Sequence, residues 1–228
     1  MSGSGLSAGQ DFDRFLLQII HDLRAPLRQS FTRTQLLERA QEGSLTAEAD
    51  EHLRAVLEAN SLVDRFLRRL AEYCLAGKDM DRSPRMRAPL LLDGAIHALA
   101  LGSASPPVEL VKKEVAEILL PEAFQKVFTE LLDNALKFRS EAATIQIGCA
   151  RDGPDYVFQV RDNGIGFDQR FAERILEPLQ KLHGSASYSG FGLGLAICRR
   201  IVEASHGRLW AKALPGGGSS FHFSVPAG

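Results

Sequence analysis

The 228-residue sequence holds three cysteines, one tryptophan and only 7% aromatic residues. The cysteines, Cys74, Cys149 and Cys198, are odd in number and widely separated among apolar neighbours. That excludes a disulfide-built scaffold and reads as reduced packing cysteines of a cytoplasmic protein. None stands at metal-ligand spacing with a histidine. No apolar run approaches the roughly 18–20 residues of a membrane span. The start, Met1-Ser2-Gly3-Ser4-Gly5, lacks the basic and then apolar pattern of a leader and reads as a flexible linker over residues 1–10. An excess of one charge is also missing: 27 Lys and Arg face 28 Asp and Glu, a net charge of −1. Nothing global therefore draws the chain to nucleic acid or to an anionic membrane. There is no internal repeat. What remains is a globular composition, 45% hydrophobic and 24% charged, at a length that suits one large domain or two of about 100–150 residues.

From Phe12 onward, Phe15, Leu16, Ile19, Leu23 and Leu27 recur at spacings of three and four, the face of a long amphipathic helix. Pro26 lies inside that pattern and should bend it. Gly43-Ser44-Leu45-Thr46 breaks it, and Thr46 caps a second helix bearing Leu53, Val56, Leu57, Val63, Phe66, Leu67 and Leu70. Two helices on a short turn form an antiparallel hairpin over residues 11–79. Each apolar face is broad enough to need a further neighbour, so a homodimer forming a four-helix bundle is expected. The alternative is packing on the rest of the same chain.

A polar, proline-ended stretch marks a linker at residues 80–85. Beyond it, strand-like runs at Val108–Val111, Thr144–Ala150, Tyr156–Arg161, Arg208–Ala213 and Ser220–Val225 alternate with helical segments near Leu91–Leu101, Glu122–Phe138 and Gly192–Ala204. Residues 86–228 therefore read as an α/β domain with a mixed sheet, and the whole chain as α+β.

Four constellations carry chemistry. In Ile20-His21-Asp22-Leu23-Arg24-Ala25-Pro26-Leu27, His21 falls beside the apolar seam, so its imidazole projects to solvent next to a carboxylate. A neutral imidazole is a nucleophile near pH 7, and the carboxylate can fix its tautomer or take its proton. A solvated surface histidine gives the same pattern. In Glu130-Leu131-Leu132-Asp133-Asn134-Ala135-Leu136-Lys137-Phe138, residues Glu130, Asn134 and Lys137 share one polar edge of a helix. Oxygen donors with an ammonium suit a Mg²⁺-bound polyphosphate, although a solvated helix face would look alike. Val160-Arg161-Asp162-Asn163-Gly164-Ile165-Gly166-Phe167 runs a strand into a turn, where Asp162 offers a fixed acceptor and Gly164 and Gly166 let backbone approach a ligand. A plain hairpin turn also accommodates Asp-Asn-Gly. Finally, Gly190-Phe191-Gly192-Leu193-Gly194-Leu195 leads into a helix and aims free N–H groups at an anion. It lacks the Gly-Lys-Ser/Thr of a phosphate-binding Walker loop, and it does not follow the buried strand of a dinucleotide fingerprint.

In this order the four resemble the H, N, G1 and G2 boxes of sensor histidine kinases, from about Phe12 to Pro226. Leu182-His183-Gly184, Ala196–Glu203 and Gly207-Arg208-Leu209-Trp210-Ala211 resemble the kinase ends of bacterial phytochrome-like sensors in particular. The resemblance implies a dimerising phosphotransfer hairpin followed by an ATP-binding Bergerat fold. It implies that His21 is phosphorylated by ATP with Asp22 as base or orienter. Asn134 would hold Mg²⁺, Glu130 being a second candidate ligand, and Lys137 would contact phosphate. Asp162 would read the adenine amino group, Gly164 and Gly166 would shape its turn, and Gly190, Gly192 and Gly194 would form the hinges of a lid. The partners it implies are a second copy of the chain and the receiver domain of a response regulator, with the sensory domain upstream and absent from this chain.

Three positions depart from the family pattern. Glu130 stands where many members have Asn, and Glu-x-x-x-Asn also resembles the water-activating pair of gyrase and mismatch-repair ATPases of the same fold. An ATPase that hydrolyses ATP without marking itself is thus the rival reading, and a non-catalytic receiver-binding dimer is a second. Leu176 and Leu179 replace the two phenylalanines expected before the lid, a hydrophobic anchor without aromatic packing. Ala25 stands where a phosphatase motif places Thr or Asn, which argues against phosphatase activity on the partner.

Overall fold

The computed structural model describes residues 4–41, 45–101, 108–140, 142–182 and 190–227. The chain divides into two compact units between Leu75 and Ala76. In the first, α1 (Ser4–Ala40) and α2 (Ala47–Leu75) pair as a hairpin, tied by a 3.3 Å hydrogen bond from Asn60 Nδ2 to Ser30 Oγ. The helix begins at Ser4, inside the stretch expected as linker, and runs through Pro26. Thr46 caps α2 as expected, its Oγ1 accepting from Ala49 N at 3.2 Å. The Gly43 turn lies outside the described residues. Phe12, Phe15, Leu23, Leu36 and Leu37 are each half or more exposed, so the hairpin leaves apolar surface uncovered. Among the described residues no helix is long and apolar enough to cross a membrane.

The second unit orders β1 (Arg85–Arg87), α3 (Ala88–Ala98), β2 (Val108–Lys112), β3 (Leu119–Pro121), α4 (Phe124–Lys137), β4 (Ala143–Asp152), β5 (Asp155–Asp162), α5 (Gly194–Ala204), β6 (Leu209–Ala213) and β7 (Ser219–Pro226). Five strands form one mixed sheet in the order β2-β4-β5-β7-β6, with β2 parallel to β4 and every other pair antiparallel. Strands β1 and β3 pair separately, Arg85 opposite Pro121. Residues 80–85 are not a linker: Met80 is buried in a 3₁₀ turn and the Pro84 carbonyl accepts from Glu122 N at 2.8 Å.

Alternation along the strands sends Ile145, Ile147, Phe158, Val160, Phe221 and Phe223 to one face, all buried, while Gln159 and His222 pair on the other. On the apolar face lies α4, whose Phe124, Val127, Phe128, Leu131 and Leu132 have no appreciable exposure, with α5 beside it. The junction is aromatic. Phe223 stacks on Phe158 with centroids 4.8 Å apart and meets Phe128 edge-on at 5.5 Å. This packing fixes the helix that carries Asn134.

Candidate functional site

His21 lies on α1 with a side chain 83% exposed, and its Nδ1 stands 3.2 Å from Asp22 Oδ1, which also accepts from Gln18 Nε2 at 3.0 Å. The bond to His21, then that to Gln18, holds the Asp22 carboxyl below the usual carboxylate range. An ionised carboxylate only accepts, so Nδ1 is the donor in this hydrogen bond, and in the neutral ring that leaves the lone pair on Nε2.

The remaining predicted residues fall in the second unit, where the fold brings them together. Glu130 and Asn134 stand one turn apart on α4, and Phe138 caps its end one turn further on. Phe138 N donates to Asn134 O at 3.1 Å, and Phe138 O accepts from Ile165 N at 3.0 Å, which ties the end of α4 to the turn after β5. Position 164 must be glycine for this contact to form, because a Cβ there would lie 2.1 Å from Phe138 O. Asn163 is part of the same clamp: it accepts from Thr144 N at 2.8 Å and donates to Ala142 O at 2.7 Å.

Asp162 ends β5 as a buried carboxyl, and its Oδ1 accepts from Gly164 N at 2.9 Å and from Ser219 N at 3.2 Å. Sequence reasoning missed Ser219. Its signal is the Gly216-Gly217-Gly218 run ahead of an alternating strand, which places Gly218 against Gly166 and Ser219 against Asp162.

Lys137 is ion-paired to Asp133. A Cβ built on Gly190 would lie 3.9 Å from Lys137 Nζ, so the glycine segment reaches the cationic end of α4. From there Gly192 and Gly194 lead into α5. Gly192 takes φ +70° with Gln180 O 2.5 Å from its absent Cβ, and its carbonyl accepts from Leu179 N at 2.8 Å. The two expected leucine anchors behave differently. Leu176 is 1% exposed, whereas Leu179 is 54% exposed at φ +63°, so it serves the turn and not the core. His183 and Gly184 lie outside the described residues.

Comparison with known proteins places this arrangement. Residues 120–228 match the family described as histidine kinase-, DNA gyrase B- and HSP90-like ATPase. Over 220 residues the chain is 33% identical to cyanobacterial phytochrome A of Nostoc sp., covering 96% of this chain and 29% of that protein. Residues 120–228 belong to that ATPase family, and the chain as a whole is similar to histidine kinases. It is also 29% identical over 236 residues to the adaptive-response sensory kinase SasA of Synechococcus sp., covering 94% of this chain and 59% of that one. It thus spans less than two thirds of either relative. Its fold matches full-length ShkA, solved in complex with AMPPNP, at a TM-score of 0.71 and 24% identity, over 93% of this chain and 45% of that chain. The histidine kinase AdeS of Acinetobacter baumannii matches at 0.57 and 18% identity, over 90% and 97%.

In this ATPase-like domain, burial pushes the Asp162 carboxyl up, and the amides of Gly164 and Ser219 only partly offset it. A carboxyl raised in the folded state binds more protons folded than unfolded. Its contribution therefore favours folding below the unfolded value of about 3.9 and is lost as pH rises through that value to the raised one. Across this window the urea midpoint of the parent chain should decline with rising pH relative to that of Asp162→Asn.

Proposed function

We propose that the chain is an ATP-dependent protein histidine kinase core. It phosphorylates itself on His21 and passes the phosphoryl group to an aspartate of a response-regulator receiver domain. The observation that carries this reading is the exposed His21 imidazole, oriented by Asp22, in a chain that also bears a histidine kinase-like ATPase domain. In the transfer, Nε2 of His21 bonds to the γ-phosphorus of ATP, the bond from that phosphorus to its bridging oxygen breaks, and ADP leaves with the electron pair. Asp22 steadies the ring through Nδ1–H and stands ready for its proton. The exposed apolar residues of α1 and α2 support a homodimer through the hairpin of residues 11–79.

ATP and Mg²⁺ suit the donors present. Asp162 offers a buried acceptor to the adenine amino group, and Lys137, oriented by Asp133, offers charge to phosphate. Asn134 supplies one hard oxygen, in keeping with a cation that takes one or two protein ligands and the rest from phosphate and water. When bound, Mg²⁺ neutralises the phosphate charge that opposes transfer. Glu130 Oε1 already faces Lys126 Nζ at 3.2 Å, so we assign the metal to Asn134. The remaining residues position the nucleotide, the main demand of phosphoryl transfer.

Incubation with γ-labelled ATP and Mg²⁺ should give acid-labile, alkali-stable label, lost in His21→Gln and in Asn134→Ala. Label persisting in His21→Gln would overturn the assignment. The burial of Glu130 favours a second reading, hydrolysis by the same site; steady phosphate release without labelled protein would select it.

A further inference from the structure

Lys126 and Glu130 form an ion pair one turn before Asn134 on α4, with Nζ 3.2 Å from Oε1. The Glu130 side chain is 9% exposed and that of Lys126 37%. Helix electrostatics alone gives a weak reason for the pair, since Glu followed by Lys is the favoured order at this spacing and the order here is reversed. Asp133 and Lys137, on the same helix, follow the favoured order. The stronger reason is burial, because a carboxylate withdrawn from water needs a countercharge and hydrogen bonds. Glu130 is also the one carboxylate four residues before Asn134, on the same edge of the helix, where it could serve a water molecule.

We infer that Lys126 is a positioning residue that withholds Glu130 from water, so that the site passes phosphoryl to protein in preference to hydrolysing ATP. This deepens the kinase reading and rests on it. In hydrolysis, the oxygen of water would bond to the γ-phosphorus, the bond to the bridging oxygen would break with ADP leaving, and the proton of water would go to a carboxylate oxygen. Lys126 opposes that step in two ways. Its ammonium takes one of the oxygens that would receive the proton, and its positive charge opposes a proton's arrival at close range. It also holds the carboxylate in one orientation on the helix.

The test measures phosphate release and acid-labile protein label in the same reaction, on the full chain. Lys126→Met should raise the ratio of release to label by about tenfold or more, within the range of a general base, through kcat with the KM for ATP unchanged. Lys126→Arg should keep the parent ratio. The double variant Lys126→Met with Glu130→Gln should return to it, because the base is gone. An unchanged ratio in Lys126→Met overturns the inference, as does an equal rise in the double variant. A Lys126→Met chain that fails to fold while the double variant folds would make the pair purely structural and would also overturn it. Absence of label in the parent chain would instead sink the kinase reading, and phosphate release from Lys126→Met would still report whether Lys126 restrains Glu130.

Discussion

Gly164→Ala is expected to cost the second unit about 1–3 kcal/mol and to abolish ATP binding. The new methyl would sit 2.1 Å from Phe138 O, far inside contact distance and against backbone that has no flexible end to move. Either the turn shifts, with an overpacking cost of about 1–3 kcal/mol, or the Ile165 to Phe138 hydrogen bond breaks, which takes this donor from the carbonyl at about 1–3 kcal/mol. Both routes also move Asp162, because Gly164 N is one of its backbone donors. Urea unfolding and calorimetric titration with ATP would read the two losses. Gly153→Ala is the control. It too has a positive φ, +57°, but open space around it, so it should lose only about 1 kcal/mol and bind ATP as the parent does.

Phe223→Ala should destabilise the same unit by about 3–5 kcal/mol, the range for removing a fully buried phenylalanine. Its ring meets Phe158, Phe128 and Phe124 at centroid distances of 4.8, 5.5 and 5.7 Å, so three rings lose a neighbour at once. Two of them belong to α4, and the cavity would loosen the seat of Asn134 and Lys137. A lowered urea midpoint should therefore come with weaker ATP binding. If the midpoint falls and affinity does not, α4 is held by its other contacts.

Much of the proposed site is legible because its chemistry is local. Asn134 and Lys137 declare themselves by helical spacing, Asp162 by closing a strand before glycines, and the glycines of residues 190–194 by preceding an amphipathic run. Long-range pairing is not. Strands β1 and β3 have three residues each, meet 36 positions apart in the pair Arg85 and Pro121, and carry no alternation long enough to see. For that reason residues 80–85 read as linker although Met80 is buried. Ser219 was missed because its role depends on β7 lying beside β5, a fact of sheet order. Leu179 was misjudged because its hydropathy says core, while its backbone must turn to meet Gly192.

The bond from Ile165 to Phe138 also sets a limit on how this chain can change length. Asn134 and Asp162 are joined through Phe138 and Gly164 into one span in which helix, turn and strand end share backbone atoms. A single residue inserted between Asn134 and Phe138 would turn the amide by about 100° around the helix axis while leaving Asp162 in place. The β4–β5 connection at Gly153, with nothing near its missing Cβ, carries no such constraint. Insertions and deletions therefore belong to the outer turns of the sheet, and the stretch from residue 134 to residue 138 keeps a fixed count.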